Sequence, residues 1–344
     1  MLSTFAQYIS ISQNSLIQVF GLIYPIVFLT NLLFIALWII AKNKLALFSI
    51  FIIIIGFGNI GNNFQLTFTN QKIADDHQIT LLSYNVQNFK YDNGSHSYSK
   101  TKQEIVDFLI SKKPDIVCLQ EYHSMANLFY KPLKQIRDSL KANTYYYESY
   151  FSRKNNQLSG LVIFTKYKVV GKGKLKFKGS RTFGVYTDVI ISGDTVRVFN
   201  IHFASTKMET RDIDFVINPD AENSQALKNH STKIYHKLVQ GYQLREKQLT
   251  YLQDQIKSTK YDILICGDFN DTPSSWVYNQ LSNEFTDTFV KKGSGVSRTY
   301  AGPLPLLRID YILVSKRFTT KGFKRYNIRK SDHYPVSAII EITQ

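Results

Sequence analysis

The first seventy residues carry no aspartate or glutamate, and Lys42 and Lys44 are their only basic side chains. Within them, Leu16 to Ala41 is almost unbroken apolar sequence, interrupted by residues such as Gln18, Thr30 and Asn31. At about 1.5 Å per residue, one helix of this length crosses a hydrocarbon core of about 30 Å. Lys42-Asn43-Lys44 ends the run, and Leu45 to Ile60, with Phe51-Ile52-Ile53-Ile54-Ile55 at its centre, begins a second. Neither run has the amphipathic face by which a helix packs on a soluble core. The reading is a membrane anchor over residues 1–61, a hairpin of two transmembrane helices at about 16–41 and 45–60. A signal peptide is disfavoured, because no basic residue opens the chain and no small-residue cleavage site follows. By the positive-inside tendency, the two lysines place the hairpin tip in the cytoplasm and the rest of the chain on the outer, extracytoplasmic side.

Beyond a polar linker at 62–78, the remaining residues, 79–344, read as one globular domain. The formal charge of the chain is +16, and setting aside the two hairpin lysines leaves +14 on the remainder. That sign suits a polyanion or an anionic membrane surface as partner, and serves equally as a solubility device. Cys118 and Cys266 each sit inside an apolar, strand-like run and read as small core hydrophobes. They form neither a disulfide framework nor a zinc-ligand spacing.

Short β-rich runs alternate with helical spacing from Ile79 onward: Ile79 to Tyr84, Asp115 to Leu119, Leu161 to Phe164, Tyr186 to Ile191, Val196 to Ile201, Ile263 to Cys266, Ile309 to Val314 and Val336 to Ile340. An internal echo organises them. Lys102 to Ser111 has helical spacing and leads into Asp115-Ile116-Val117-Cys118-Leu119-Gln120-Glu121; Leu244 to Lys257 does the same before Asp262-Ile263-Leu264-Ile265-Cys266-Gly267-Asp268. A duplicated helix, strand and terminal carboxylate predicts an α/β four-layer sandwich: two face-to-face mixed β-sheets flanked by helices, with strand ends converging on one edge. Gly171 to Lys178 alternates lysine with small or apolar residues, as a protected edge strand does. Ser205 to Tyr242 shows little pattern and reads as a surface excursion.

The polar residues at the strand ends are chemically matched. An anionic phosphate ester repels nucleophiles, so its hydrolysis needs a cation, an activated water and a proton donor for the leaving oxygen. Hard Mg²⁺ takes oxygen ligands. Ser83-Tyr84-Asn85-Val86 closes one strand with an amide and Leu119-Gln120-Glu121 the next with a carboxylate; His202 follows Asn200-Ile201. In Gly267-Asp268-Phe269-Asn270-Asp271 the glycine permits a tight turn, and Asp268 and Asn270 can face one pocket. Arg308-Ile309-Asp310-Tyr311 sets an acid in an apolar strand, and Ser331-Asp332-His333-Tyr334-Pro335 joins an acid to an imidazole. A buried acid needs a partner, and a histidine is the natural one.

In order and number these motifs resemble the endonuclease/exonuclease/phosphatase superfamily, over about residues 79 to 342. The resemblance implies a metal-dependent phosphoric ester hydrolase using Mg²⁺, with Mn²⁺ as a substitute. It implies Glu121 as the main metal ligand, Asn85 beside it contacting metal or phosphate, and Asp332 as a further acid at the metal side. Asp268 would orient or deprotonate the attacking water, and Asn270 would hold a phosphate oxygen. His333, oriented by Asp310, would stabilise the phosphorane or shuttle a proton, and His202 resembles the general acid; which histidine is acid and which is base stays open. Gln87 stands where abasic-site endonucleases carry an acid, and Thr165-Lys166 where many relatives have Ser-Arg. The expected substrate is nucleic acid, with a phospholipid or inositol-phosphate head group as the alternative. A membrane-tethered binding module without turnover is the alternative of another class.

Overall fold

In the segment Ile79–Asn85, Ile79 and Leu81 enter one apolar cluster while Leu82 and Tyr84 enter another. Successive side chains of a strand face opposite ways, so a strand covered on both faces reads as continuous apolar sequence. Ile263 and Ile265 face away from Leu264 and Cys266 in the same manner. A computed structural model describes residues 2–67, 78–89, 98–125, 130–153, 157–180, 182–219 and 224–343.

The N-terminal part is helical: α1 (Leu2–Phe5), α2 (Ser15–Leu22), α3 (Tyr24–Ile40), α4 (Leu45–Ile55) and α5 (Phe57–Asn63). Then come β1 (Gln65–Leu66), β2 (Ile79–Asn85), α6 (Tyr98–Lys112), β3 (Ile116–Met125), α7 (Tyr130–Ser139), β4 (Thr144–Arg153), β5 (Gln157–Thr165), β6 (Lys168–Lys176), β7 (Phe183–Ile191) and β8 (Asp194–His202). The chain continues through α8 (Thr210–Ile217), α9 (Ser224–Lys257), β9 (Asp262–Asp268), α10 (Trp276–Glu284), β10 (Thr286–Asp287), α11 (Thr288–Lys292), β11 (Ser294–Gly295), β12 (Asp310–Val314), β13 (Phe318–Arg325) and β14 (Val336–Ile342).

Two six-stranded mixed sheets result, one ordered β13-β14-β2-β3-β5-β4 and the other β10-β12-β9-β8-β7-β6. Each holds one parallel pair, β2 with β3 across α6 and β8 with β9 across α8 and α9, which is the echo read from the sequence. Between the sheets lies a cluster that includes Leu81, Cys118, Ile163, Val198, Cys266 and Ala338. The outer face of the first sheet packs on Ile105 and Leu109 of α6 and Leu133 of α7. The outer face of the second packs on Leu249 and Leu252 of α9 and Leu281 of α10. This is the four-layer arrangement expected.

A polar contact crosses the middle. Asn200 of β8 is fully buried, its amide nitrogen donates to the carbonyls of Leu119 and Val162 at 2.9 Å each, and its oxygen accepts from Gln120 Nε2 at 2.7 Å. Asn200 belongs to the second sheet and all three partners to the first.

Several elements differ from the sequence reading. β4 and β13 were not expected: both are edges of the first sheet, and an edge strand such as Thr144-Tyr145-Tyr146-Tyr147-Glu148 lacks the apolar run of a central one. β6 is the edge of the second sheet, as its lysines suggested. Ser205 to Tyr242 is largely helical, holding α8 and the first half of the 34-residue α9. In the linker, Asn62 and Asn63 end α5, and Gln65–Leu66 pairs with Ser294–Gly295; residues 68–77 lie outside the described residues.

The expected helix at 16–41 is broken. α2 and α3 meet at Ile23 with a bend of 68°, and Pro25 stands in the first turn of α3, where its missing N–H and fixed φ suit a new helix start. Among the described residues no single helix is long and apolar enough to cross a membrane, although α2 and α3 together meet the length and composition. α3 and α4 still pack against each other as a hairpin with Lys42 and Lys44 at its tip.

The Asn200 contact is testable through stability. Asn200→Leu removes three buried hydrogen bonds at once, those to the carbonyls of Leu119 and Val162 and the one from Gln120 Nε2, which keeps Ser83 Oγ and Cys118 O, so it is expected to lower unfolding free energy by about 3 kcal/mol. The measurement is the urea midpoint of the full chain in detergent; a midpoint equal to that of the parent chain rejects a structural role for this contact.

Candidate active site

The parallel pairing of β8 and β9 sets His202 beside Asp268, and the antiparallel pairing of β12 and β9 sets Asp310 on the other side of Asp268. Register partners project to the same face, so three polar side chains share one patch at the sheet's edge. Gly267 makes this approach possible. Its φ is +145°, and a Cβ there would lie 1.9 Å from the carbonyl oxygen of Ile201. From the other sheet, Asn85 ends β2, and Glu121 sits in β3 where the register with β5 shifts between Leu119 and Tyr122. Glu121 has φ +52°, and such an irregularity re-aims one side chain out of the strand's alternation.

The two groups meet. Asn85 Nδ2 donates to Asp268 Oδ2 at 3.0 Å and to Glu121 Oε1 at 3.4 Å. Asp268 Oδ2 lies 3.7 Å from Nε2 of both His202 and His333, and His202 Nε2 is 3.9 Å from Glu121 Oε1. His333 Nδ1 is 2.9 Å from Asp310 Oδ2, which fixes the ring and points Nε2 towards Asp268 and, at 3.9 Å, Asp332. The backbone N–H of Asn270 donates to Asp268 Oδ1 at 2.8 Å; its amide nitrogen donates to Phe203 O at 3.0 Å and Asp268 Oδ2 at 3.2 Å. All eight residues singled out in the sequence therefore fall in one constellation.

An open cleft of about 440 Å³ lies over it. Glu121, His202, Asp268, Asn270, Asp332 and His333 line its floor, and Tyr300, Lys207, Met208 and Ile213 are among the residues of its walls. Burial raises the carboxyl of Glu121 above its ordinary range, against the field of His333 and the Asn85 hydrogen bond. Burial likewise raises Asp268 and Asp332, and the neighbouring Glu121 adds to the rise at Asp332. The two histidines are driven apart. Burial lowers His202 despite the pull of Asp268. At His333 burial also opposes the charge, but Asp310 and Asp268 outweigh it and hold the imidazolium well above the usual histidine range.

The donor set fits a hard divalent cation. Glu121 and Asp332 each keep about a third of the side chain exposed to the cleft, at 27% and 32%, and each offers carboxylate oxygen. A carboxylate such as Asp332, raised by a neighbouring Glu121, is a place where a cation relieves repulsion. Asp268, Asp310 and His333 also bring ligand atoms within 4.8 Å of one another, yet Nδ1 of His333 is already committed to Asp310, so this trio forms a hydrogen-bonded dyad beside an acid. Asn85 sits beside Glu121 as expected: its amide oxygen accepts from the Gln87 backbone N–H at 3.0 Å, and its nitrogen faces the two carboxylates and bridges Glu121 and Asp268.

Some contributors escaped the sequence. Asn88, at φ +52°, donates to Glu121 Oε2 at 2.8 Å and is itself held by Ser159. Thr299 Oγ1 accepts from the backbone of Ile309 and Asp310 at 2.9 and 3.0 Å, which fixes the start of β12. Gln87, standing where an acid is found in some relatives, accepts from the Asp332 N–H at 3.1 Å. None of these lies in a periodic pattern; a positive-φ Asn just after a strand is the one local signal, and it is common to turns.

The architecture is similar to that of several solved structures. An endonuclease/exonuclease/phosphatase from Beutenbergia cavernae DSM 12333 superimposes with a TM-score of 0.56 at 16% identity, over 78% of this chain and 72% of that one. The human Nocturnin catalytic domain with bound sulfate gives 0.56 at 16% identity, over 79% and 97%. A mannosyl-6-phosphatase from Bacteroides thetaiotaomicron VPI-5482 gives 0.51 at 18% identity, over 76% and 99%. No curated protein matches the chain. The Endonuclease/Exonuclease/phosphatase family model matches residues 82–333, and a domain of unknown function, DUF8431, matches residues 1–63. The first match spans most of the chain and contains every residue of the constellation, so the protein belongs to the endonuclease/exonuclease/phosphatase family, whose members are phosphoric ester hydrolases generally dependent on a divalent metal.

Proposed function

We propose that this chain is a Mg²⁺-dependent hydrolase of phosphate esters, seated in a membrane by its α3–α4 hairpin with the catalytic domain outside the cytoplasm. The observation that carries the chemistry is the placement of Asp268 between two histidines of opposite charge state, beside a carboxylate pair open to the cleft. Glu121 and Asp332 would hold the cation, which when bound supplies charge neutralisation of the phosphate and acidifies a water. Asp268 would orient the attacking water and take up its proton, with Asn85 and Asn270 fixing both its oxygens. The imidazolium of His333, braced by Asp310, would meet the charge that builds on the phosphoryl oxygens. His202, kept neutral by burial, would donate Nε2–H to a phosphate oxygen on the other side.

Charge favoured nucleic acid as substrate. The cleft favours the alternative, a phosphorylated head group. Among the described residues that line it, Lys207 is the one lysine or arginine, whereas a groove for nucleic acid presents a row of cations to successive phosphates.

With bis(p-nitrophenyl) phosphate and Mg²⁺, Glu121→Ala and His333→Ala are each expected to lower kcat/KM by about 100-fold or more. Turnover surviving in both variants sinks the assignment. Chelation should abolish activity in the parent chain and added Mg²⁺ restore it; activity insensitive to chelation argues against the metal.

A pH profile tests the Asp310–His333 pair. Its raised pKa keeps His333 charged at neutral pH, and activity needing that charge is lost as pH rises through it. Asp310→Asn removes the field that sustains the charge, so the basic limb of kcat/KM should move to lower pH. A basic limb that stays in place means that His333 does not act as a cation.

A further inference from the structure

α3 contains no charged residue, yet Leu29, Leu33, Leu37 and Ile40 expose 47 to 79% of their surface, and on α4 so do Leu47 and Ile54 at 67 and 64%. An apolar surface of this extent belongs in a bilayer. The hairpin is not a loose tether. Ser12 hydrogen-bonds Glu246 of α9, Ser15 Oγ lies 2.6 Å from Tyr235 OH, Asn63 Nδ2 donates to Ser274 Oγ at 3.3 Å, and the buried Arg308 donates to Asn62 O at 2.8 Å. Both feet of the hairpin are thus fixed on the catalytic domain, and the hairpin's direction fixes how the domain faces the membrane.

The 68° bend then decides what lies at the surface. With α3 directed into the bilayer, α2 runs close to the bilayer plane. Val19 and Leu22 of α2 share one apolar cluster with Met208, Phe215, Ile234, Leu238 and Tyr242. Met208 is also a wall of the cleft. The cleft mouth therefore stands at the level of the lipid head groups.

At that mouth is α8. Its start is locked by a reciprocal cap between Glu209 and Asp212, by Lys237 bonded to both acids, and by Phe215 stacked on the His230 ring at 4.3 Å. Ile213 faces the cleft and Phe215 the shared cluster, while Val216 and Ile217 at the end of the helix are 48 and 47% exposed. Two adjacent apolar side chains on a rigid helix, beside a catalytic cleft and next to a membrane-directed hairpin, have the bilayer as their neighbour.

We propose that α8 is a membrane-seated lip, with Val216 and Ile217 dipping between phospholipids so that a head-group phosphate enters the cleft without leaving the membrane. The inference rests on the hydrolase reading above and names where its substrate comes from. Water adds its oxygen to phosphorus, one P–O ester bond breaks, and the leaving oxygen takes a proton. Lys207, exposed on the cleft wall, supplies the attraction for the incoming anion.

The test uses the full chain reconstituted in vesicles of phosphatidylglycerol and phosphatidylethanolamine, comparing the parent with the double variant Val216→Asp, Ile217→Asp. Head-group release from the vesicles should fall at least 10-fold in the variant, while hydrolysis of soluble bis(p-nitrophenyl) phosphate stays within about 2-fold. Equal release by both proteins, or release no faster than from monomeric short-chain lipid, overturns the lip. Failure of the parent on the soluble ester as well would sink the hydrolase reading instead. A second readout is independent of turnover and of how aspartates are tolerated: Ile217→Trp in a Trp38→Phe, Trp276→Phe background should shift its emission to the blue and be quenched by brominated lipid. Emission unchanged by brominated lipid overturns the proposal.

Discussion

The buried amide of Asn200 ties the two sheets together beneath the active site, whose residues come from both of them. Asn85 and Glu121 belong to one sheet, His202, Asp268 and Asp310 to the other, and apolar packing between sheets permits sliding that hydrogen bonds do not. Asn200 stands two residues before His202, and its partner Gln120 is the residue before Glu121. An amide whose nitrogen donates to Leu119 O and Val162 O while its oxygen accepts from Gln120 Nε2 has one register in which it can form. The specificity of this buried amide thus falls within two residues of the chemistry.

With the sheets in register, the electrostatics follow from what surrounds each imidazole. His202 and His333 lie equally far from Asp268 Oδ2, at 3.7 Å, so that acid alone cannot distinguish them. Asp310 does. It touches only His333, at 2.9 Å on the nitrogen remote from the cleft, and it is itself anchored by Thr299 at its backbone. One carboxylate thereby lifts His333, while His202, without such a partner, is lowered by its burial, so two chemically identical side chains are shifted in opposite directions.

Much of this was legible in the sequence because it rests on short-range rules. His202, Asp268 and Asp310 stand at strand ends where side-chain alternation delivers them, and Glu121 could be picked from its place after an apolar run, although the irregularity that aims it could not. The double-faced strands gave their apolar runs for the same reason. What was hidden depends on tertiary contacts. The bend at Ile23 follows from Pro25 only once α2 has a domain to lie on. α9 buries Leu238, Tyr242, Arg245 and Leu252 against different neighbours along its 34 residues, so its apolar stripe changes partners and looks patternless when read locally. Asn88 and Thr299 act through single hydrogen bonds to residues far along the chain, which leave no periodic trace. The direction of the Asn85 amide is hidden for a related reason: it is set by its whole network, here Gln87, Glu121 and Asp268, not by its position at a strand end.

Arg308 shows how closely the N-terminal helices and the catalytic machinery are joined. The guanidinium is 2% exposed and pairs with Asp287 at 2.7 Å, leaving a second nitrogen for the carbonyl of Asn62 at the end of α5. Two residues further on, Asp310 braces His333. Tyr311 adds a further tie, its hydroxyl donating at 2.8 Å towards the carbonyls of Arg308 and of Asp271, next to Asn270. Burying a guanidinium costs several kcal/mol that its partners must offset, so the carbonyl at the end of α5 is one that Arg308 cannot lose without cost. A tether would need only length and polarity. This segment instead completes a buried ion pair two residues from the acid that braces His333, so the position of the hairpin and the geometry of the site are set by the same bonds.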